Sequence, residues 1–309
     1  MTQNFIWIAG NYSQSGADLT STEIEKLTSI LLNLMPMFNQ DAEDEENLVE
    51  VIKSLALLAQ IEGEGSRKVV AAFDHPGQGN GALVSYMCQF LGRKNEEIYA
   101  GAVRYLGSVL LSSDPRVAEK IILHNSLDKL ADIMLSTHGK HLKESLWLLS
   151  NLASSGSECS RAVISSPVFG RVLALCGSSA CDVKTEALWA LATCIQSYSG
   201  AEAQELLILK NEECTVVLFK ALTIKDPRLV TQLLLALKGL FAIDATFVYH
   251  KLYEYNGLDV IQALANHDQE IVFDAAQELF EIYLESEAEF GDQVYMVEEN
   301  PNKYKNETN

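Results

Sequence analysis

Residues 140–155, KHLKESLWLLSNLASS, carry apolar side chains at positions i, i+3, i+4 and i+7 after a charged start. This spacing predicts an amphipathic α-helix that buries one face. Trp147 and Asn151 are four residues apart, so they lie one turn apart on the same face of that helix. Apolar spacing is helical nearly everywhere else in the sequence, which predicts an all-α protein.

The same pattern occurs in four other segments of the chain. They begin at residues 97, 182, 228 and 270, so the five successive starts are 43, 42, 46 and 42 residues apart. A period of about 40–47 helical residues is typical of armadillo and HEAT arrays, in which each unit buries its apolar face only against its neighbours. Residues 157–166 and 168–178, on either side of Pro167, read as two short helices between the long ones. Two short helices and one long helix favour armadillo units.

The phase of the repeat divides the chain into consecutive units. We expect a right-handed armadillo-repeat α-solenoid of about six to seven repeats over residues 1–290, followed by an acidic, polar, disordered tail at residues 291–309. The Gly-rich residues 74–81 lack the lysine of a phosphate-binding loop, so we expect a simple connection there. The predicted units are a partial first unit at residues 1–40 and then residues 41–96, 97–140, 141–182, 183–228 and 229–290.

The composition limits the possible partners. The 309 residues include 42 acidic and 23 basic side chains, for a net charge of −19. Such a surface repels nucleic acid and anionic lipid, and it attracts basic proteins or peptides. We therefore expect no nucleic acid partner. No apolar run approaches the roughly 18–20 residues of a membrane span, so we expect no membrane partner either. Six cysteines without a Cys-x-x-Cys pair predict reduced, mostly buried thiols.

Two of the long helices resemble the third helices of armadillo units in the importin-α (karyopherin-α) family. The matching stretches are KESLWLLSN at residues 143–151 and KTEALWALAT at residues 184–193. Residues 255–290 resemble the family's last unit, and residues 96–107 resemble its sixth unit, where an arginine replaces the usual tryptophan. The resemblance extends over about residues 97–299 and is looser, but in phase, over residues 1–96.

The resemblance implies a ladder of residue pairs along a concave groove. In a complete pair, the indole offers its face to the stem and head of a lysine or arginine. The asparagine carboxamide both donates and accepts, so it pairs with the backbone of an extended peptide. Glu144 and Glu186 lie three residues before Trp147 and Trp189, on the same helix faces, and are expected to neutralise the cation. The pairs are Trp7/Asn11, Leu55/Ala59, Arg104/Ser108, Trp147/Asn151, Trp189/Thr193 and Leu235/Gly239.

In the family, the seventh and eighth units form the minor site for basic nuclear localisation signals. Glu144, Trp147, Asn151, Glu186 and Trp189 match that site one by one, and Arg104 matches the family's arginine. Ser108 and Thr193 stand where asparagine is expected, which removes two backbone clamps. The expected peptide-binding residues are Trp147, Asn151, Trp189, Glu144, Glu186, Arg104, Ser108, Thr193, Trp7 and Asn11.

The resemblance implies an adaptor for nuclear protein import that works in the cytoplasm and nucleus and binds cargo with basic localisation signals. It also implies that the last unit docks the export receptor of the CAS type. No Arg/Lys-rich arm precedes the repeats and the family's first three units have no counterpart, so we do not expect the standard use of importin-β. An acidic armadillo scaffold or chaperone for a basic protein is the alternative.

Catalytic motifs are absent from the sequence. It contains no GxSxG elbow, Walker motif, HExxH or GxGxxG, which favours a binding protein over an enzyme, with no cofactor. A zinc site made of His138, His141, Cys176 and Cys181 would require two inter-repeat loops to converge.

Overall fold

The computed structural model describes residues 6–8, 10–12, 19–38, 45–61, 82–112, 114–136, 138–198 and 211–299. Regular structure in these ranges is entirely helical. The Gly-rich residues 74–81 and residues 300–309 of the expected tail lie outside them. The α-helices are α1 (Ser21–Leu34), α2 (Glu45–Gln60), α3 (Ala82–Phe90), α4 (Glu96–Leu110), α5 (Pro115–Leu123), α6 (Ser126–Ser136), α7 (Lys140–Ser154), α8 (Ser157–Ser165), α9 (Pro167–Cys176), α10 (Cys181–Ser197), α11 (Asn211–Ala221), α12 (Pro227–Ile243), α13 (Ala245–Glu254), α14 (Gly257–Leu264) and α15 (Glu270–Glu299), with a short 3₁₀ turn at Met35–Met37.

The chain forms two compact units, Met1–Arg171 and Val172–Asn309. In the first unit the long helices α2, α4 and α7 pack side by side in chain order, and in the second unit α10, α12 and α15 do the same. Helices α4, α7, α10, α12 and α15 begin within one residue of the five starts that the repeat predicted. The stacking of long third helices is therefore confirmed within each unit.

The short helices α8 and α9 meet at the predicted break. Helix α8 ends at Ser165 and α9 begins at Pro167, with Ser166 in an extended conformation between them. Proline is tolerated at the first position of a helix, because its missing N–H has no helical partner there.

Two asparagines mark an equivalent turn in different repeats. Asn125 precedes α6 and Asn256 precedes α14, and both have a φ of 54°. Residues other than glycine rarely adopt this left-handed conformation, and asparagine is among those that tolerate it best. The recurrence of Asn at these two sites reflects a backbone requirement of the turn.

The leucines on the inner side of α7 form core. Leu146, Leu149 and Leu152 are fully buried, as the apolar stripe predicts. A chain of hydrogen bonds links α4 to α7. The hydroxyl of buried Tyr99 bonds to Ser145 Oγ, and Ser145 Oγ donates to the carbonyl of His141 at 2.8 Å. Burial raises the pKa of Tyr99, so its hydroxyl remains a proton donor across the physiological range.

Replacing Ser145 by alanine is expected to lower the free energy of unfolding by about 1 kcal/mol, because the buried Tyr99 hydroxyl then loses its partner. The Tyr99→Phe/Ser145→Ala double variant leaves neither hydroxyl in place, so it should be no less stable than Ser145→Ala alone. Urea unfolding followed by circular dichroism measures both. Losses that simply add would contradict the pairing.

The last helix extends beyond its predicted end. Helix α15 continues to Glu299, whereas the sequence predicted a disordered tail from residue 291. Phe290, Val294 and Val297 continue the helical spacing of apolar residues, and Pro301 disfavours helix only at the residue before it. The high acid content of this stretch is thus compatible with helix.

No single helix in the described ranges is long and apolar enough to cross a membrane, and α8 and α9 reach the required length and composition only as a pair bent by 82°.

Candidate functional site

Each unit presents one tryptophan on a long helix, at the same position of the repeat. Trp147 lies on α7 in the first unit and Trp189 on α10 in the second, and both indoles are half-buried. Their neighbours Leu146, Leu148, Leu188 and Ala190 are fully buried. The two helices thus place a large aromatic side chain at the border between core and surface. We call Trp147/Asn151 the first rung and Trp189/Thr193 the second rung.

The first rung rests on a glycine of the preceding long helix. A β-carbon on Gly107 would overlap Cζ3 of Trp147 and lie 2.7 Å from its Cε3 and Cη2 atoms. Only glycine leaves room for the indole here, so one edge of the six-membered ring is packed against the α4 backbone. Gly107 was not predicted from the sequence as part of the site. The signal available in the sequence is a glycine forty residues before Trp147, close to the repeat period.

Asn151 uses its amide within the protein. Its Nδ2 donates to the carbonyl of Gly107 at 3.1 Å. In the last turn of α4, Leu111 N donates to the carbonyl three residues earlier, Ser108 O, at 3.2 Å. The Gly107 carbonyl therefore lies in the terminal turn of the helix, where carbonyl groups lack N–H partners within the helix. The carboxamide was predicted to clamp a peptide backbone, and in this structure it instead joins two repeats.

Glu144 is also engaged by its own chain. Arg104 Nε donates to Glu144 Oε1 at 2.8 Å, and the Glu144 side chain is only 16% exposed. His141 Nδ1 lies 3.5 Å from Glu144 Oε2, and His141 Nε2 lies 3.6 Å from Glu96 Oε2. The carboxylate expected to neutralise a peptide cation is therefore already neutralised by Arg104. Arg104 thus pairs with an acid of its own chain.

The second rung has a different pattern. Thr193 Oγ1 donates to the Trp189 carbonyl at 2.8 Å, so this hydroxyl bonds back to its own helix. Glu186, one turn before Trp189, is half-buried. One turn beyond the rung, Gln196 Nε2 donates to the carbonyl and to Oε1 of Gln232 on α12, at 2.9 and 3.0 Å.

The other predicted pairs fall into three classes. Ser108 is 2% exposed, and Leu55 and Ala59 are buried, so none of these side chains is accessible to a peptide. The assignment of Ser108 as a peptide-binding residue is therefore corrected. Leu235 and Gly239 are half-buried on α12. Trp7 is 69% exposed, and Asn11 Nδ2 donates back to the Trp7 carbonyl at 2.9 Å. Helical residues 6–8 and 10–12 agree with the predicted helical spacing of that pair.

Ion pairs between consecutive long helices were not predicted from the sequence. Lys53 meets Glu97 at 2.7 Å between α2 and α4, and Lys238 meets Glu278 at 2.6 Å between α12 and α15. The Arg104–Glu144 pair belongs to the same series. Opposite charges separated by 40 to 44 residues, close to the repeat period, are the sequence signal for them.

Five of the six cysteines are core side chains. Cys88, Cys159, Cys176, Cys194 and Cys214 are buried, and Cys181 is exposed. Burial raises the pKa of Cys176 to about 12, which keeps the thiol protonated and unsuited to metal binding. Among the described residues no group of three His, Cys, Asp or Glu side chains could hold a metal ion.

Comparisons with known proteins identify the fold. No protein-family model and no curated protein sequence matches the chain. A designed armadillo repeat protein in complex with the peptide (KR)4 matches with a TM-score of 0.67 and 20% identity, over 82% of this chain and 99% of that one. The fold is an armadillo-repeat α-solenoid. A computationally designed armadillo repeat protein for modular peptide recognition matches with a TM-score of 0.65 and 20% identity, over 83% of this chain and 99% of that one.

An engineered protein matches over a longer stretch, with a TM-score of 0.70 and 18% identity, over 90% of this chain and 68% of that one. At these identities the likeness concerns the fold, and the rungs have to be judged by their own chemistry.

Proposed function

We propose that this chain is a peptide-binding adaptor of the importin-α type, which recognises basic segments on the partly exposed faces of its long third helices that carry the rungs. The observation that carries the proposal is the repeated placement of a half-buried tryptophan with an acid one turn earlier, Glu144 with Trp147 and Glu186 with Trp189. A partly exposed indole face attracts a lysine or arginine head group, and the neighbouring acid adds to that attraction.

Charge favours basic ligands over other peptides. The net charge of −19 steers cations toward the surface at long range. In the first unit Arg104 already offsets Glu144, so the indole of Trp147 has to supply most of the local attraction there.

The cellular role that fits this chemistry is the import of proteins with basic nuclear localisation signals, with the adaptor moving between cytoplasm and nucleus. The designed armadillo repeat protein bound to (KR)4 supports the pairing of this fold with a basic ligand. Recycling by an export receptor of the CAS type at the last unit belongs to the same proposal.

One observation favours a second function, that of an acidic scaffold or chaperone for a basic protein. Asn151 and Glu144 are both engaged within the chain, which leaves the first rung without a ready backbone clamp or anion. A scaffold of this kind binds through overall charge, with little dependence on the tryptophans.

Fluorescence anisotropy with a labelled eight-residue Lys/Arg peptide separates the two functions. Trp189→Ala should weaken binding about fivefold, since a cation–π contact of about 1 kcal/mol is lost. Adding Trp147→Ala to this variant should weaken peptide binding further. Leu123→Ala, which removes an 81% exposed side chain on the short helix α5, is the matched control and should have no effect. Thermal melts show that each variant is folded.

The same peptide made of D-amino acids carries equal charge but cannot make the same backbone and side-chain contacts at a rung. Weaker binding of the D-peptide supports the rung site. Equal binding of both peptides, unchanged by the tryptophan substitutions and abolished by salt, supports the charge-driven scaffold instead.

A further inference from the structure

Two carboxamides, Gln196 and Gln232, bridge the long helices α10 and α12 on the face that carries the second rung. Gln196 lies two helical turns after Trp189, so both side chains project from the same face of α10. Side chains of a helix lean toward its N-terminus, which brings the Gln196 amide back toward the rung. Gln196 is exposed and Gln232 is half-buried, so a ligand that covers the second rung can contact both. We call Gln196 and Gln232 the amide pair.

Gln232 occupies a repeat position that carries an acid on α10. It stands three residues before Leu235, just as Glu186 stands three residues before Trp189, and Leu235 is the equivalent of Trp189 on α12. A carboxylate at this position attracts a cation, whereas an uncharged amide offers hydrogen bonds. The chemistry that Gln232 can recognise is therefore that of polar, uncharged groups.

The hydrogen bonds within the amide pair fix the orientation of both side chains. Gln196 Nε2 donates to the backbone carbonyl of Gln232 at 2.9 Å and to Gln232 Oε1 at 3.0 Å. Both acceptors are oxygens, so both N–H groups of the Gln196 amide are used against α12. Within the described ranges of the chain, Gln196 Oε1 and Gln232 Nε2 take part in no hydrogen bond. The amide pair therefore offers one acceptor and one donor to a ligand.

One acceptor beside one donor complements an extended peptide backbone. In a β-strand the N–H and the C=O of one residue point to the same edge, and a neighbouring strand pairs with them through one carbonyl and one N–H. Gln196 Oε1 can accept from such an N–H, and Gln232 Nε2 can donate to the C=O. Thr193 uses its hydroxyl within its own helix, so the amide pair is the source of backbone-binding groups beside Trp189.

We propose that the amide pair binds one backbone unit of an extended peptide that crosses from α10 to α12. The proposal rests on the proposed function and deepens it, because it names the groups that hold the peptide backbone beside the second rung. Recognition at this point depends on the N–H and C=O groups of the peptide and not on the charge of its side chains.

Single N-methylation of the peptide backbone tests the amide pair. Eight versions of the labelled Lys/Arg peptide each carry one N-methyl group, which removes one N–H and leaves the charge unchanged. In fluorescence anisotropy with the wild type, methylation at one position should weaken binding about fivefold, as expected for the loss of one hydrogen bond. Gln196→Met should weaken binding of the unmethylated peptide by a similar factor, and this variant should be insensitive to methylation at that position.

Two further variants complete the test. Gln232→Met removes the donor to the peptide carbonyl, so it should also weaken binding about fivefold. Gln262→Met removes an exposed carboxamide on the short helix α14 and is the matched control, which should change neither the affinity nor the effect of methylation. Thermal melts show that each variant is folded. If methylation at every position weakens binding to the wild type and to Gln196→Met by the same factor, the amide pair only bridges the two helices and the proposal is wrong.

A second measurement separates the amide pair from the proposed function. Titration with an uncharged eight-residue Ser/Thr peptide, followed by NMR, should shift the side-chain amide signals of Gln232 and leave those of Gln262 unchanged. If the Lys/Arg peptide fails to bind but these shifts appear, the proposed function is wrong and the backbone site stands. If the Lys/Arg peptide binds and depends on Trp189, yet methylation is not coupled to Gln196 and the shifts are absent, the backbone site is wrong and the proposed function stands.

Discussion

Replacing Gly107 by alanine is expected to lower the free energy of unfolding by about 2 kcal/mol, although alanine is the better helix former. The new β-carbon overlaps Cζ3 of Trp147 and comes within 2.7 Å of two more ring atoms. The indole cannot bend away as a flexible side chain does, so it has to leave its position against α4. Its departure also disturbs the Asn151 bond to the Gly107 carbonyl, which lies beside it. Urea unfolding followed by circular dichroism measures the loss.

The sign of the effect should reverse when the indole is absent. In a Trp147→Ala background, Gly107→Ala has no ring to meet, so it should stabilise the helix by up to about 1 kcal/mol through helix propensity alone. Gly239→Ala on α12 is the control in the wild-type background. There the new β-carbon meets only Ile195 Cγ2, at an ordinary 3.6 Å, so little or no loss is expected. Equal losses from Gly107→Ala with and without Trp147 would rule out this packing.

The fold was predictable because the repeat imposes the same physical problem on each unit. Each long helix buries a stripe of leucines against its neighbours, so the period and the stripe appear directly in the sequence. The five predicted starts agree with α4, α7, α10, α12 and α15 to within one residue. The end of α15 was missed because acidic composition says little about helix formation when apolar spacing continues.

The site was predictable only in part. The position of Trp147 and Trp189 at the edge of the core follows from helix geometry, and the structure places both indoles there. The partners of Glu144 and Asn151 depend on residues 40 and 44 positions earlier, Arg104 and Gly107, across the contact between two repeats. A motif within one helix carries no information on such partners, so the sequence assigned both side chains to a ligand.

The ion pair between Arg104 and Glu144 is therefore expected to affect both stability and ligand binding. Arg104→Gln removes the close cationic partner of the Glu144 carboxylate, whose side chain is 16% exposed. This should lower the free energy of unfolding by about 2 kcal/mol. The loss is smaller than for a fully buried pair, because both groups keep some contact with water. Glu144→Gln should cost a similar amount. The double variant carries no such charge, so it should recover at least about 1 kcal/mol relative to the sum of the two single losses.

Arg104→Gln and Glu144→Gln should have opposite effects on peptide affinity, although their losses of stability are similar. Arg104→Gln frees the Glu144 carboxylate beside Trp147, so the Lys/Arg peptide should bind about threefold to tenfold tighter, within the range expected for one partly screened charge pair. Glu144→Gln leaves Arg104 uncompensated at the same place, so the peptide should bind more weakly. Glu213→Gln, an exposed acid on the short helix α11, controls for the change in net charge alone. If Arg104→Gln and Glu144→Gln change the affinity in the same direction, or if Glu213→Gln has the same effect as Glu144→Gln, the peptide does not lie against the first rung.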